Sequence, residues 1–149
     1  MNNLISVKKV SRSYSKNKKV TVLKKINYSF ARGKIYSIMG PSGSGKSTLL
    51  NILSMIDKPT TGSMLIGNDT IDFNNNTDND KIRAKKIGII YQQNNLLPDF
   101  TALENVYLAG LALTDDKKNS IQKAKKIIKK MGLSTREQHY PSELSGGEM

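Results

Sequence analysis

The run GPSGSGKST, Gly40 to Thr48, restricts this chain more than any other stretch. It fits the pattern G-x-x-x-x-G-K-[ST], with Gly40, Pro41, Ser42, Gly43, Ser44, Gly45, Lys46 and Ser47 in order and Thr48 behind them. The glycines let the backbone curl so that successive N–H groups point inward at phosphate oxygens. A helix leaving the loop adds its N-terminal partial positive charge. Lys46 would reach the β- and γ-phosphates, and the Ser47 hydroxyl would ligate Mg²⁺. A chance match is on the order of 10⁻⁴ per window or rarer. A nucleoside triphosphate with Mg²⁺ is the expected ligand, and the fold must bring a strand into the loop and take a helix out of it.

The flanks have the texture that this demands. Leu4–Val10, Val20–Phe30 and Lys34–Met39 read as strands, with Ala31-Arg32-Gly33 as a turn. Lys46–Ile56 reads as a helix, with Leu49, Leu50, Leu53 and Ile56 at helical spacing. Ser63–Asn68 is a short strand, and the polar Asn74–Asp80 reads as a surface loop. Lys86–Gln92 reads as a buried strand. Beyond it the pattern becomes helical. Thr101 and Glu104 form a capping box for Thr101–Leu113. Ser120–Gly132 is amphipathic, with Ile121, Ala124, Ile127, Ile128 and Met131 on one face and Gly132 placed to cap it. The expected fold class is α/β, a mixed sheet core at residues 1–92 followed by a helical subdomain at 93–149.

Composition excludes several classes. There are no cysteines, so disulfides and thiolate metal sites are ruled out. Nowhere do eighteen apolar residues run together, and MNNLISVKKV lacks the apolar run of an export signal. The net charge of +12 raises nucleic acid or anionic lipid as partners. The lysines are spread out without interleaved aromatics, so solvated faces account for them and no nucleic-acid partner is expected.

A second motif, LSGGE at Leu144–Glu148, separates the phosphate-loop families. Together with the loop it resembles the nucleotide-binding domain of ABC transporters, whose signature is LSGGQ or a close variant. SYSKNKKVTVL resembles that family's adenine-stacking loop, with Tyr14 as the aromatic. IIYQQNNLLP resembles its Q-loop, with Gln92, rather than Gln93, as the glutamine that touches Mg²⁺ and the attacking water. With GPSGSGKSTLLNIL, the stretches LLPDFTALENV and PSELSGGE resemble its lipoprotein-releasing members, these last two most closely, in a subfamily that also holds macrolide-type exporters and a cell-division ATPase. A GTPase reading lacks a guanine-specifying N/T-K-x-D motif, and a kinase has no counterpart for LSGGE.

The resemblance implies a P-loop NTPase fold binding ATP and Mg²⁺. It implies a head-to-tail dimer with a second ATP-binding subunit, in which Ser145, Gly146 and Gly147 meet the partner's γ-phosphate. It implies an integral-membrane permease pair, received near Leu96–Phe100, and a peripheral place on the cytoplasmic face of the inner membrane. The family's Walker B aspartate, catalytic glutamate and switch histidine follow the signature and are not in this sequence. The domain is therefore expected to be incomplete and to lack ATPase activity alone. With only Glu148 and Met149 behind Gly147, the signature is expected to lack a helix. An ATP-binding or permease-docking module without turnover is the alternative.

Overall fold

The computed structural model describes residues 3–15 and 18–149. They divide into two compact units, 1–87 and 88–149.

The first unit is built on a long hairpin. Strand β1, Asn3–Ser15, pairs antiparallel with β2, Lys19–Ala31. On its other edge β1 pairs with β3, Thr61–Ile66, which pairs with the short β4, Asp69–Thr70. The sheet order is β2-β1-β3-β4. β1 and β2 carry several register shifts. One matters for function. Arg12 is opposite Leu23 and Ser13 is opposite Thr21, so Val22 is an extra residue bulged out of β2.

Helix α1, Lys46–Leu53, lays Ile52 and Leu53 on the sheet, where Val7, Val10, Leu23, Met64 and Ile66 meet them. Complete burial of a side chain such as Ile52 contributes about 1.5–3 kcal/mol. The helix ends earlier than its apolar spacing predicts. Met55 takes φ +57°, which breaks the helical phase. Met55 is thereby buried, and Leu50 and Ile56, expected on the core face, are exposed.

Asn76–Lys86 is a helix, α2, and overlaps the segment expected to be a loop. Polar composition conceals it. Asn75 caps it by accepting the Asp78 N–H at 3.2 Å, and Arg83, Lys85 and Lys86 suit the negative end of its dipole. Buried Asn79 donates to the Asp72 carbonyl at 2.8 Å, and Ile82 is its apolar contact with the core.

Two segments read as strands, Lys34–Met39 and Lys86–Gln92, form no strand. Ile35 and Ile90 are fully exposed, at 101% and 100%. A strand is defined by its neighbour as much as by its sequence, and neither segment pairs with another among the described residues.

In the second unit, α3, Ala102–Thr114, packs against α4, Lys117–Lys130. Leu103, Ala124 and Ile128 form its core, with Ile121 and Leu133 against them. The Thr101–Glu104 capping box is present in full. At the end of α4, Gly132 donates to Lys129 O and Leu133 to Ile128 O, a Schellman closure. Ile127 and Met131, expected to be inward, are exposed because the core against α3 takes only a narrow stripe of α4.

Candidate nucleotide site

The phosphate loop lies between the unpaired segment ending at Met39 and the start of α1. Gly40, Gly43 and Gly45 all take positive φ, at 154°, 79° and 92°. Gly45 is the N-cap of α1 and has a second constraint. A Cβ there would stand 3.0 Å from Leu23 Cδ2, 3.0 Å from Val22 Cγ1 and 3.3 Å from Val22 O. The β2 bulge thus presses Val22 against the loop, and only glycine fits between them.

The result is a shallow cavity lined by Val22, Ser42, Gly43, Gly45, Lys46, Ser47 and Thr48. It holds no carboxylate. The first turn of α1 lines it, and the first N–H groups of a helix have no intrahelical partners. Lys46 Nζ arches back over the loop and donates to Gly40 O and Pro41 O, each at 2.8 Å. Ser47 is exposed and Thr48 half-buried. This donor set fits an anion: amide N–H groups, an ammonium and a hydroxyl, with no opposing negative charge. Ser47 could also hold a divalent cation next to such an anion.

Tyr14 lies on β1 opposite Val20, near the Val22 bulge on the neighbouring strand. Tyr14 is 41% exposed. The Arg12 guanidinium carbon stands 4.5 Å from the ring centroid. The hydroxyl donates to Asp57 Oδ2 at 3.1 Å, and Arg12 Nη2 donates to Asp57 Oδ1 at 2.7 Å. Tyr14 and the Asp57 charge raise the Arg12 pKa above its ordinary value, against an opposing effect of burial. Sequence reading missed Arg12, Asp57 and Val22. Arg12 and Asp57 are 45 positions apart, so no local pattern joins them. Lys16 and Asn17, part of the expected adenine loop, lie outside the described residues.

Gln92 belongs to the second unit, exposed on a bend, whereas Ser47 belongs to the first. After Gln92, the loop that carries exposed Leu97 and Phe100 is gathered by Asn105, which sequence reading also missed. Asn105 accepts the Leu97 N–H at 2.8 Å and donates to Leu97 O, Phe100 O and Thr101 O at 3.1, 2.9 and 3.1 Å.

At the signature, no helix follows Gly147, but Gly146–Glu148 form a turn. Glu148 N–H and Met149 N–H both donate to Ser145 O, at 2.9 and 3.1 Å. Glu148 Oε2 accepts the Ser145 N–H at 2.8 Å, and its Oε1 accepts from Arg136 Nε at 2.8 Å. These bonds, Arg136 first, pull the Glu148 pKa down to about 2. Gly146 and Gly147 have no positive φ, and a Cβ at either would meet nothing within 4 Å. Nothing among the described residues requires glycine at either position.

The ABC transporter family model matches residues 23–149, from β2 through the phosphate loop to the signature. The chain belongs to the ABC transporter family. It is 42% identical over 148 residues to a lipoprotein-releasing system ATP-binding protein LolD of Rickettsia bellii, covering 99% of this chain and 65% of that protein. The LolD of Francisella tularensis subsp. holarctica is 43% identical, over 97% of this chain and 64% of its own length. Among solved structures, the ATP-binding cassette MJ0796, a dimer bound to ADP and Pi, aligns with a TM-score of 0.84 at 38% identity. That match covers 97% of this chain and 64% of the other. The chain thus spans just under two thirds of the length of the relatives it matches. Its fold is that of an ABC cassette, an α/β P-loop NTPase, and its sequence is similar to LolD proteins.

Proposed function

We propose that this chain is the nucleotide-binding part of an ABC ATPase subunit that powers lipoprotein release from the inner membrane. The observation that carries the reading is the cradle itself. Gly43 and Gly45, both at positive φ, line one cavity with Lys46 and the rest of the first turn of α1, and no carboxylate lies among them. Gly40–Thr48 would hold the triphosphate of ATP, and Tyr14 would stack on the adenine. The Ser47 hydroxyl would hold Mg²⁺, which when bound neutralises phosphate charge.

The open glycines of the signature support the dimer. Ser145, Gly146 and Gly147 present a hydroxyl and bare backbone, suited to close approach by a phosphate on a second ATP-binding subunit. In this reading Leu97 and Phe100 form part of the seat for an integral-membrane permease, and the subunit works peripherally on the cytoplasmic face. Among the described residues no helix is long and apolar enough to cross a membrane.

Titration calorimetry with Mg²⁺-ATP tests the reading. Saturable binding by the chain, lost in Lys46→Ala, supports it. Binding that Lys46→Ala leaves intact removes the phosphate loop from the site.

A further inference from the structure

We infer that Arg12 and Asp57 form a clamp that positions Tyr14 as a stacking surface for the nucleotide base, so that both are positioning residues of the site. The inference rests on the reading that Tyr14 stacks on the base.

Three contacts hold the ring. The Arg12 guanidinium covers the ring at 4.5 Å from its centroid. Asp57 Oδ2 accepts a hydrogen bond from the Tyr14 hydroxyl at 3.1 Å. Asp57 Oδ1 binds Arg12 Nη2 at 2.7 Å, closing a triangle. Asp57 is itself held, because Oδ1 also accepts the Lys58 N–H at 2.8 Å. The following turn is stitched to β1: Thr60 N–H donates to Ser11 O at 2.8 Å, and Ser13 N–H to Thr60 Oγ1 at 3.0 Å.

These contacts hold the ring while Tyr14 stays 41% exposed. Fixing a side chain in its bound rotamer removes an ordering penalty from binding. Arg12 Nε is buried without a hydrogen-bond partner among the described residues. The clamp also links the two ends of α1. Its N-terminus opens on the phosphate cavity, and the turn after its C-terminus supplies Asp57.

The test compares Mg²⁺-ATP with inorganic tripolyphosphate, which has no base, by calorimetry on the 149-residue chain. Arg12→Met is expected to weaken ATP about three- to tenfold and to leave tripolyphosphate unchanged. Arg12→Lys, which keeps a cation for the ring, should recover part of that loss. Tyr14→Phe keeps the ring and the cation, guards against a misfolded Arg12→Met, and should weaken ATP alone by about two- to fivefold. Equal loss of both ligands, or loss of neither, overturns the clamp. Tyr14→Ala separates the two levels. If it leaves the ATP-to-tripolyphosphate ratio unchanged, the stacking reading fails and takes the clamp with it. If it lowers the ratio while Arg12→Met and Tyr14→Phe do not, only the clamp fails. A wild-type chain that binds neither ligand overturns both.

Discussion

Arg136 and Glu148 close the signature turn from outside, Nε to Oε1 at 2.8 Å, while the other oxygen of Glu148 holds the Ser145 N–H at 2.8 Å. One carboxylate therefore fixes both the backbone of the turn and its attachment to the Ser134–Arg136 segment. The exposed glycines are presented in one conformation as a result.

The pH dependence of that turn follows from the sign of the shift. The Glu148 carboxyl is lowered from 4.5 to about 2, chiefly by Arg136. A lowered folded-state pKa stabilises the turn fully above the unfolded value, and the contribution fades as pH falls through the folded one. NMR titration should place the Glu148 carboxyl midpoint near 2. Arg136→Met should move it towards the ordinary carboxylate range, and an unmoved midpoint would show that the ion pair is not formed in solution.

Gly45→Ala should damage stability and binding together. The new methyl would stand 3.0 Å from Val22 Cγ1 and Leu23 Cδ2, at a φ of +92° that disfavours it. A loss of about 1–3 kcal/mol in urea unfolding is expected, with loss of Mg²⁺-ATP binding. Wild-type stability would mean that the bulge at Val22 yields easily.

Thr101→Ala removes the acceptor for the Glu104 N–H at the start of α3 and leaves Glu104 with only the backbone half of its box. Loss of such a cap costs about 1 kcal/mol. Urea unfolding followed by circular dichroism should show it, and Thr101→Ser should restore most of it.

Asn105→Ala should loosen the Leu97–Thr101 loop without unfolding α3. It removes the acceptor for the Leu97 N–H and the donor to three carbonyls. Exchange of the Leu97 amide hydrogen should quicken by about tenfold or more, the equivalent of one lost hydrogen bond. Unchanged exchange would assign the loop's order to other contacts. A permease that docks on Leu97 and Phe100 should also bind this variant more weakly.

Features written into neighbouring residues were legible in the sequence. The phosphate loop needs glycines at fixed offsets from a lysine. The Thr101–Glu104 box and the Gly132 closure are completed within a turn or two. All are in the structure because their partners are a few positions away. Helix α2 was local too, but its signal was capping and charge order rather than apolar period, so a search for apolar residues passed over it.

What the tertiary structure decided is everything that depends on distant partners. Lys34–Met39 and Lys86–Gln92 have the composition of strands, but a strand exists only when another lies beside it. The bulge that presses Val22 on Gly45 is a register offset between β1 and β2, invisible in either alone. Arg12 and Asp57 meet only because the turn after α1 is stitched back on β1. The phosphate-loop conformation was legible because it is encoded in backbone dihedrals that local glycines allow. The tertiary structure determined where the aromatic is held and what holds it, because that depends on the path of the chain between residues 12 and 57.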